Sequence, residues 1–266
     1  MTVHVSKVQF PSRLRPKGTK TLTLAGRLYL PPLAGLQVPG LVVGHGAGSK
    51  ALRHDDFCQT ACRAGFAVLA LDFRGHGQSE GSADGPLELD VLAAAQYLRA
   101  HPAVDPDLIC YRGSSMGGFY GLRAAAQAGF AALALVCPAS PSVMLKGLAE
   151  SWEDGGRRRQ RASENQNDSE DKLEARWRRH LMRQYFQREL LRIPGEGVTC
   201  PVLVLHARGD DVVPLQDSLR LAASLTVETT LCLFPGGSHT SLQHDSAVHR
   251  LTVEWLQRYV QRARKL

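Results

Sequence analysis

Apolar residues follow two different periods along the chain. Short runs rich in valine, leucine and isoleucine predict strands, whereas longer stretches with apolar residues three or four positions apart predict helices. The two kinds alternate, which is typical of a mostly parallel sheet flanked by helices, so we predict an α/β fold. The predicted strands, of which the first two form an antiparallel lead-in, are Val3–Phe10, Leu22–Leu30, Leu41–Val43, Ala67–Leu71, Leu108–Tyr111, Leu133–Cys137, Val202–Leu205 and Thr230–Phe234. The predicted helices lie near Asp55–Arg63, Pro86–Ala100, Met116–Ala128, from Pro214 onward, and Asp245–Arg262.

The alternation stops between residues 140 and 194, where no strand-like run occurs. This segment is rich in arginine and contains a polar stretch at Ser163–Ser169. Its apolar residues at helical spacing are Leu173, Trp177, Leu181, Met182, Tyr185 and Phe186. Two interpretations are open: a flexible insertion with a small packing face, or a helical cap whose aromatic residues line a substrate pocket. We favour the cap, and we predict a single domain over residues 1–266 with this one insertion at about 140–194, because no linker or internal repeat interrupts the rest.

Composition narrows the class of protein. The chain has 266 residues, of which 44% are hydrophobic and 21% charged, values that are ordinary for a globular domain. No apolar run approaches the ~20 residues of a membrane-spanning helix, so we expect no stable membrane insertion. The first residues show no basic segment followed by an apolar one, and we therefore expect a cytoplasmic protein.

Positive charge is unevenly distributed. The net charge is +7, and residues 1–54 contain eight lysines and arginines but no aspartate or glutamate. These basic residues are spread over predicted strands and loops without interleaved aromatic residues, so we expect no nucleic-acid partner. A basic surface of this kind favours anionic substrates or membrane surfaces.

The six cysteines are scattered along the chain. Cys58 and Cys62 are four positions apart on a predicted helix and therefore share a face. They are open to two interpretations, a redox or metal-binding pair or two small buried apolar residues. We favour the second, because the chain has no Cys-x-x-Cys motif or matching histidine cluster, and we expect neither a metal site nor an organic cofactor.

A Gly-x-Ser-x-Gly motif at Gly113–Gly117 lies between a predicted strand and a predicted helix. In this context the chain must turn sharply, which strains the backbone of the central residue and exposes its side chain above the sheet. Ser115 is therefore the candidate nucleophile. Ser114 is not, because its own motif would need glycine at the position of Arg112.

A serine nucleophile needs a base and an acid that orients the base. Asp210 follows one predicted strand and His239 follows the next, so both fall at the carboxyl edge of the sheet, where ligands bind in open α/β folds. We select His239 as the base and Asp210 as the acid. Asp211 remains a rival acid, and helix capping before Pro214 is the alternative role for either aspartate.

An acyl transfer also needs donors for the oxyanion of its tetrahedral intermediate. The backbone N–H of Met116 is one candidate donor. The other is the N–H of Ala47, in the glycine-rich loop His45–Ser49 that follows the third strand.

Together these motifs resemble those of the α/β-hydrolase superfamily over nearly the whole chain. Within it, the chain is similar to the branch of monoacylglycerol lipases, feruloyl-type esterases and serine aminopeptidases. The matching stretches are His45–Gly48, Asp72–Ser79, Gly113–Gly118, Gly209–Pro214 and Gly237–His239. The resemblance implies catalytic roles for Ser115, Asp210 and His239, oxyanion donors at Ala47 and Met116, and a helical cap between the sixth and seventh strands. It also implies structural rather than catalytic roles for His45 and His76.

Ala47 departs from this pattern, because several relatives carry a bulky aromatic residue there, so the acyl pocket is expected to differ in shape. We predict a serine hydrolase that cleaves a small-molecule carboxylic ester through an acyl-enzyme intermediate. An acyl thioesterase with an anionic carrier on the basic cap and an aminopeptidase would use the same residues. A non-catalytic binding protein with this fold would be expected to lack one of the three.

Overall fold

The computed structural model describes residues 3–12, 21–32, 36–149 and 170–264, with the side chains of residues 170–176 excluded. Its centre is an eight-stranded sheet with the strand order β1-β2-β4-β3-β5-β6-β7-β8. Strands β3 to β8 run parallel, and β2 pairs antiparallel with both β1 and β4. The strands are β1 (His4–Ser12), β2 (Leu22–Leu30), β3 (Val38–Gly44), β4 (Ala67–Asp72), β5 (Val104–Ser114), β6 (Ala132–Val136), β7 (Val202–Ala207) and β8 (Thr229–Phe234).

Helices cover both faces of the sheet. They are α1 (Asp55–Arg63), α2 (Glu88–Arg99), α3 (Met116–Ala128), α4 (residues 141–149), α5 (Glu170–Glu189), α6 (Leu215–Ser224), α7 (Ser241–His244) and α8 (Ser246–Ala263). One apolar core lies under α2, α3, α5 and α6, and a second lies under α1 and α8. This two-sided packing confirms the predicted α/β-hydrolase fold with a mostly parallel sheet.

The fifth strand is longer than the sequence pattern predicts. It begins at Val104 rather than Leu108, because Val104 and Asp105 pair with the start of β3. The register shifts between Pro39 and Gly40, so this early pairing is separated from the regular ladder. An interrupted ladder of this kind leaves no periodic hydrophobic signal in the sequence.

The segment predicted to be a cap contains two helices among the described residues, α4 and α5. Phe186 of α5 is fully buried, and its ring packs against Phe119 and Tyr120 of α3 with centroid distances of 5.6 and 6.5 Å. Residues 150–169, which include the polar stretch Ser163–Ser169, lie outside the described residues.

Cys58 and Cys62 are both fully buried in α1. Burial raises the pKa of both thiols, that of Cys62 to about 11, so neither is a ready thiolate at neutral pH. These positions therefore fit the apolar interpretation. In the part of the chain that the structure covers, no helix is both long and apolar enough to span a bilayer.

Candidate active site

The turn between β5 and α3 places Ser115 in an unusual backbone conformation. Its φ is 51° and its ψ is −117°, in a region that non-glycine residues rarely adopt. The glycines on either side permit this turn. A β-carbon at Gly113 would lie 2.4 Å from the carbonyl oxygen of Gly117, and one at Gly117 would lie 2.4 Å from that of Gly44. Helix α3 can therefore approach the ends of β3 and β5 only if both positions lack a side chain.

Backbone hydrogen bonds hold the Ser115 turn to strand β6. The N–H of Ser115 donates to the carbonyl of Val136 at 3.0 Å. The Ser115 carbonyl accepts from the N–H groups of Phe119 and Ala139, each at 3.1 Å. These bonds offset the cost of the strained conformation, because they hold both the N–H and the carbonyl of Ser115 in place.

The loop after β3 passes directly beside Ser115. A β-carbon at Gly46 would lie 3.4 Å from the β-carbon of Ser115 and 4.0 Å from its hydroxyl oxygen. The loop turns at Gly48, whose φ is 68°, and the N–H of Ser49 donates to the Gly46 carbonyl at 3.2 Å. Ala47 is exposed in this turn and follows Gly46, the residue that lies beside the Ser115 side chain, so the role of its N–H as an oxyanion donor remains a prediction.

His45 fixes the base of this loop. Its ring is fully buried, donates from Nδ1 to the Gly46 carbonyl at 2.7 Å, and accepts at Nε2 from the N–H of Phe73 at 3.2 Å. Burial lowers the pKa of His45 to about 4, so the ring is neutral at physiological pH. Both nitrogens are engaged with backbone groups, as expected of a structural histidine.

Asp210 and His239 are joined directly. His239 donates from Nδ1 to Oδ2 of Asp210 at 2.8 Å, and the other carboxylate oxygen accepts from the N–H groups of Val212 and Val213 at 2.9 and 2.8 Å. The Asp210 side chain is fully buried, whereas its rival Asp211 is exposed. The geometry therefore selects Asp210 as the partner of His239.

Opposing effects set the acidity of Asp210. Burial alone would raise its pKa, but hydrogen bonds from His239, from the Val213 N–H, from the Cys137 thiol and from the Val212 N–H together lower the pKa to about 2. Asp210 is therefore ionised throughout the physiological range. A fixed negative charge against Nδ1 holds that proton in place and leaves Nε2 of His239 as the acceptor.

The carboxyl edge of the sheet brings these residues together. Backbone hydrogen bonds join Ser115 to Val136 and Ala139, and the sulfur of Cys137, which lies between those two residues in the chain, is within 4.8 Å of a carboxylate oxygen of Asp210 and a ring nitrogen of His239. Within the described residues no hydrogen bond joins the Ser115 hydroxyl to His239.

A buried arginine, for which the sequence predicts no role in the site, supports the His239 segment. Arg112 is fully buried on β5 and donates to the carbonyl of Gln243 at 3.3 Å. The side chain of Gln243 in turn donates to the His239 carbonyl at 2.9 Å. The guanidinium also lies 4.6 Å from the ring centre of Phe57, and burial lowers the pKa of Arg112 to about 10.

Two buried carboxylates shape the loop after β4. Asp72 accepts from the N–H groups of Ala51 and Gln78 at 2.7 and 3.0 Å. Asp90 accepts from the backbone N–H and from the guanidinium of Arg74, and both residues are buried. Nothing in the local sequence marks these pairings, since the partners lie 6 to 21 positions apart.

The aromatic residues of α5 occupy different environments. Tyr185 donates its hydroxyl to Glu88 at 2.9 Å, and its ring lies 6.4 Å from that of Phe119. Trp177 is 61% exposed, and its ring stacks on His180. The ring contacts of Tyr185 and Phe186 are with each other and with Phe119 and Tyr120 of α3, and the predicted place of the three aromatic residues in a substrate pocket remains a prediction.

A cavity of about 240 Å³ lies between α3, α6, the end of α5 and the segment 138–142. Its walls are largely apolar: Phe119, Leu122, Pro138, Ala139, Leu190, Ile193 and Leu221. Arg123 and Glu189 form an ion pair of 2.8 Å on one wall. Ala139, which donates its N–H to the Ser115 carbonyl, connects this cavity to the serine turn.

Two of the similar proteins match this chain over more than three quarters of its length. An uncharacterized protein of Mycobacterium tuberculosis is 28% identical over 216 residues, which cover 80% of this chain and 67% of that protein. The mitochondrial palmitoyl-protein thioesterase ABHD10 of Mus musculus is 27% identical over 230 residues, which cover 76% of this chain and 70% of that protein.

Solved structures show the same fold. The α/β hydrolase GrgF from Penicillium superposes with a TM-score of 0.71 at 19% identity, covering 97% of this chain and 99% of its own. Mouse ABHD10 superposes with a TM-score of 0.63 at 22% identity, over the same shares of the two chains. The sequence model of the prolyl oligopeptidase family matches residues 55–263, a stretch that contains Ser115, Asp210 and His239. The chain therefore belongs to the prolyl oligopeptidase family, within the α/β-hydrolase superfamily of enzymes.

Proposed function

We propose that this protein is a serine hydrolase that cleaves carboxylic esters through an acyl-enzyme intermediate. The observation that carries the proposal is the buried 2.8 Å hydrogen bond between Asp210 and His239, at the same sheet edge as a serine held at positive φ. A carboxylate, an imidazole and a strained serine are the groups that acyl transfer requires.

Each residue has a role in the proposed reaction. The Ser115 hydroxyl oxygen attacks the acyl carbon while Nε2 of His239 accepts its proton. The N–H groups of Met116 and Ala47 donate to the oxyanion that forms, and Asp210 stabilises the imidazolium. The proton then passes from His239 to the leaving alcohol. Water, deprotonated by the same ring, attacks the acyl-enzyme and releases the acid and Ser115.

A thioester is a second candidate substrate. The similarity to ABHD10, which is named as a palmitoyl-protein thioesterase, favours it. The apolar cavity beside Ala139 fits the acyl chain of an ester or of a thioester equally well.

The charge of the cap argues against a free peptide amine as the bound group. Residues 177–196 contain five arginines and two glutamates, and one of those glutamates, Glu189, is buried against Arg123. Such a surface repels an ammonium group and attracts an anionic one. A peptidase activity, which the family name suggests, is therefore the least favoured of the three.

A substrate panel tests the proposal. We expect kcat/KM for p-nitrophenyl butyrate to exceed that for an aminoacyl anilide. An acyl-coenzyme A thioester is the third substrate, and its kcat/KM compares the thioester with the ester. Ser115→Ala should lower ester hydrolysis by a factor of ~10³ or more. Ser114→Ala is the matched control, because the buried Ser114 hydroxyl has no hydrogen-bond partner among the described residues. Equal activity of Ser115→Ala and wild type would refute the proposed function.

A further inference from the structure

Cys137 adopts a conformation that its residue type rarely takes. It follows the last residue of β6 with a φ of 45°, and apart from Ser115 no other non-glycine residue in the described chain has a positive φ. Its N–H donates to the carbonyl of Leu205 on β7 at 2.8 Å. This bond holds the residue against the strand that leads into the Asp210 loop, and the side chain is fully buried there.

The Cys137 side chain completes a cluster of three different ligand types. Its thiol hydrogen-bonds to Asp210. The sulfur, a carboxylate oxygen of Asp210 and a ring nitrogen of His239 all lie within 4.8 Å of one another. Cysteine sulfur, histidine nitrogen and carboxylate oxygen are the three protein ligands that Zn²⁺ uses.

We propose that Cys137, Asp210 and His239 form an inhibitory site for Zn²⁺. The assignment of inhibition rests on the proposed function, because it requires His239 to be the base. A site with three protein ligands leaves the fourth tetrahedral position open to water. Soft sulfur together with imidazole favours Zn²⁺ over the hard cations Mg²⁺ and Ca²⁺.

The charges and protons of the bound state balance. The thiol releases one proton to solvent, so a thiolate, a carboxylate and a neutral imidazole together neutralise the 2+ charge. Zinc takes the Nδ1 position of His239, and the proton that Nδ1 carried is replaced by one on Nε2. Nε2 then has no free lone pair, so it does not accept the proton of Ser115 and acylation stops.

The cation reaches this site from the side on which substrate binds. The His239 side chain is 10% exposed and Ser115 is 9% exposed, whereas Cys137 and the Asp210 side chain are fully buried. Zinc therefore meets the imidazole first and then displaces the hydrogen bonds to Asp210.

Inhibition kinetics test the site with matched variants. We expect Zn²⁺ to inhibit ester hydrolysis reversibly, with activity restored by EDTA. Cys137→Ser keeps a hydroxyl donor to Asp210 but removes the thiolate, so the concentration for half-inhibition should rise by a factor of ~10 or more relative to wild type. Cys232→Ser, which alters the one partly exposed cysteine, should leave that concentration unchanged. Equal zinc sensitivity of Cys137→Ser and wild type would overturn the proposal.

Absorption of bound Co²⁺ measures occupancy of the metal site independently of ester hydrolysis. Co²⁺ bound by a thiolate absorbs in the near ultraviolet, so wild-type protein titrated with Co²⁺ should develop this band to one equivalent. Cys137→Ser and the second variant Cys137→Ala should lack it. A band in wild-type protein that hydrolyses no ester would support the metal site while refuting the proposed function. A wild-type protein without the band overturns the inference.

Discussion

Replacement of Asp210 by asparagine alters one atom of the proposed triad and little else. The amide oxygen still accepts from the N–H groups of Val212 and Val213, which lie 2.9 and 2.8 Å from the present carboxylate oxygen. The amide nitrogen now faces Nδ1 of His239 and donates to it. The imidazole proton therefore moves to Nε2, the atom that must be free to accept the proton of Ser115.

The size of the effect follows from this change of tautomer. In a triad whose geometry is kept, such a change lowers kcat by roughly 10³–10⁴, which is about 4–5.5 kcal/mol of transition-state stabilisation. The free energy of unfolding should fall by less. The substitution loses the charge-assisted hydrogen bond with His239, worth about 1.5–3 kcal/mol, and the acceptor of the Cys137 thiol, but it keeps both backbone contacts.

The assay is kcat/KM for p-nitrophenyl butyrate, with urea unfolding of the same preparations. Asp211→Asn is the control, because that aspartate is exposed beside Asp210 and should keep near-wild-type activity. Asp210→Asn with more than a tenth of wild-type activity would show that Asp210 does not set the tautomer of His239. A larger loss in Asp211→Asn than in Asp210→Asn would show that the wrong acid has been chosen.

Three further predictions concern stability and use urea unfolding. Asp90→Ala should lower the free energy of unfolding by about 3–5 kcal/mol, since it leaves the buried guanidinium of Arg74 without its partner. His45 binds a proton in the unfolded chain below pH ~6.5 but in the folded protein only near pH 4, so its contribution of about 3 kcal/mol is complete above pH ~6.5 and is lost as the pH falls towards 4. Gly121→Ala places a β-carbon 1.9 Å from the ring of Tyr111 and should cost about 1–3 kcal/mol.

Each of these predictions has a control. Asp90→Leu combined with Arg74→Met should be more stable than Asp90→Ala, because no charge is left unpaired, although the backbone N–H of residue 74 still loses its acceptor. His45→Gln should flatten the dependence of stability on pH between 6.5 and 4, and an unchanged slope would contradict the role given to His45. Gly147→Ala, in α4 with nothing within 4 Å of a new β-carbon, should be neutral or stabilising. A cost for Gly147→Ala equal to that for Gly121→Ala would contradict the packing argument.

Most of the fold follows from local patterns that survive in the tertiary structure. Helices α1 and α3 have the predicted bounds, because glycines follow both, and Gly129 ends α3 in a left-handed conformation with a φ of 57°. The start of β5 was wrong by four residues, since its pairing with β3 breaks at Pro39. Pairing across a bulge depends on the neighbouring strand, which no local pattern records.

In the candidate site, too, some residues follow from the local sequence and others depend on contacts between distant parts of the chain. Ser115, Asp210 and His239 follow strands, and parallel strands bring such positions to one edge, so sequence order predicts their common location, while their catalytic roles stay a prediction. The position of Cys137 beside Asp210 was not predicted. In the sequence, Cys137 is the apolar last residue of a predicted strand, and its place in the cluster with Asp210 goes with a positive φ that the sequence does not indicate. The sequence also gave no indication that Arg112 supports the His239 segment, since its partners Gln243 and Phe57 lie in distant parts of the chain.

Covalent labelling with a fluorophosphonate, followed by mass spectrometry of the intact protein and of its peptides, tests whether Ser115 is the nucleophile. We expect one phosphonate adduct per chain, located on Ser115, absent from Ser115→Ala and present in Ser114→Ala. Wild-type protein that takes up no label, or that carries it on a serine other than Ser115, would show that Ser115 is not the nucleophile.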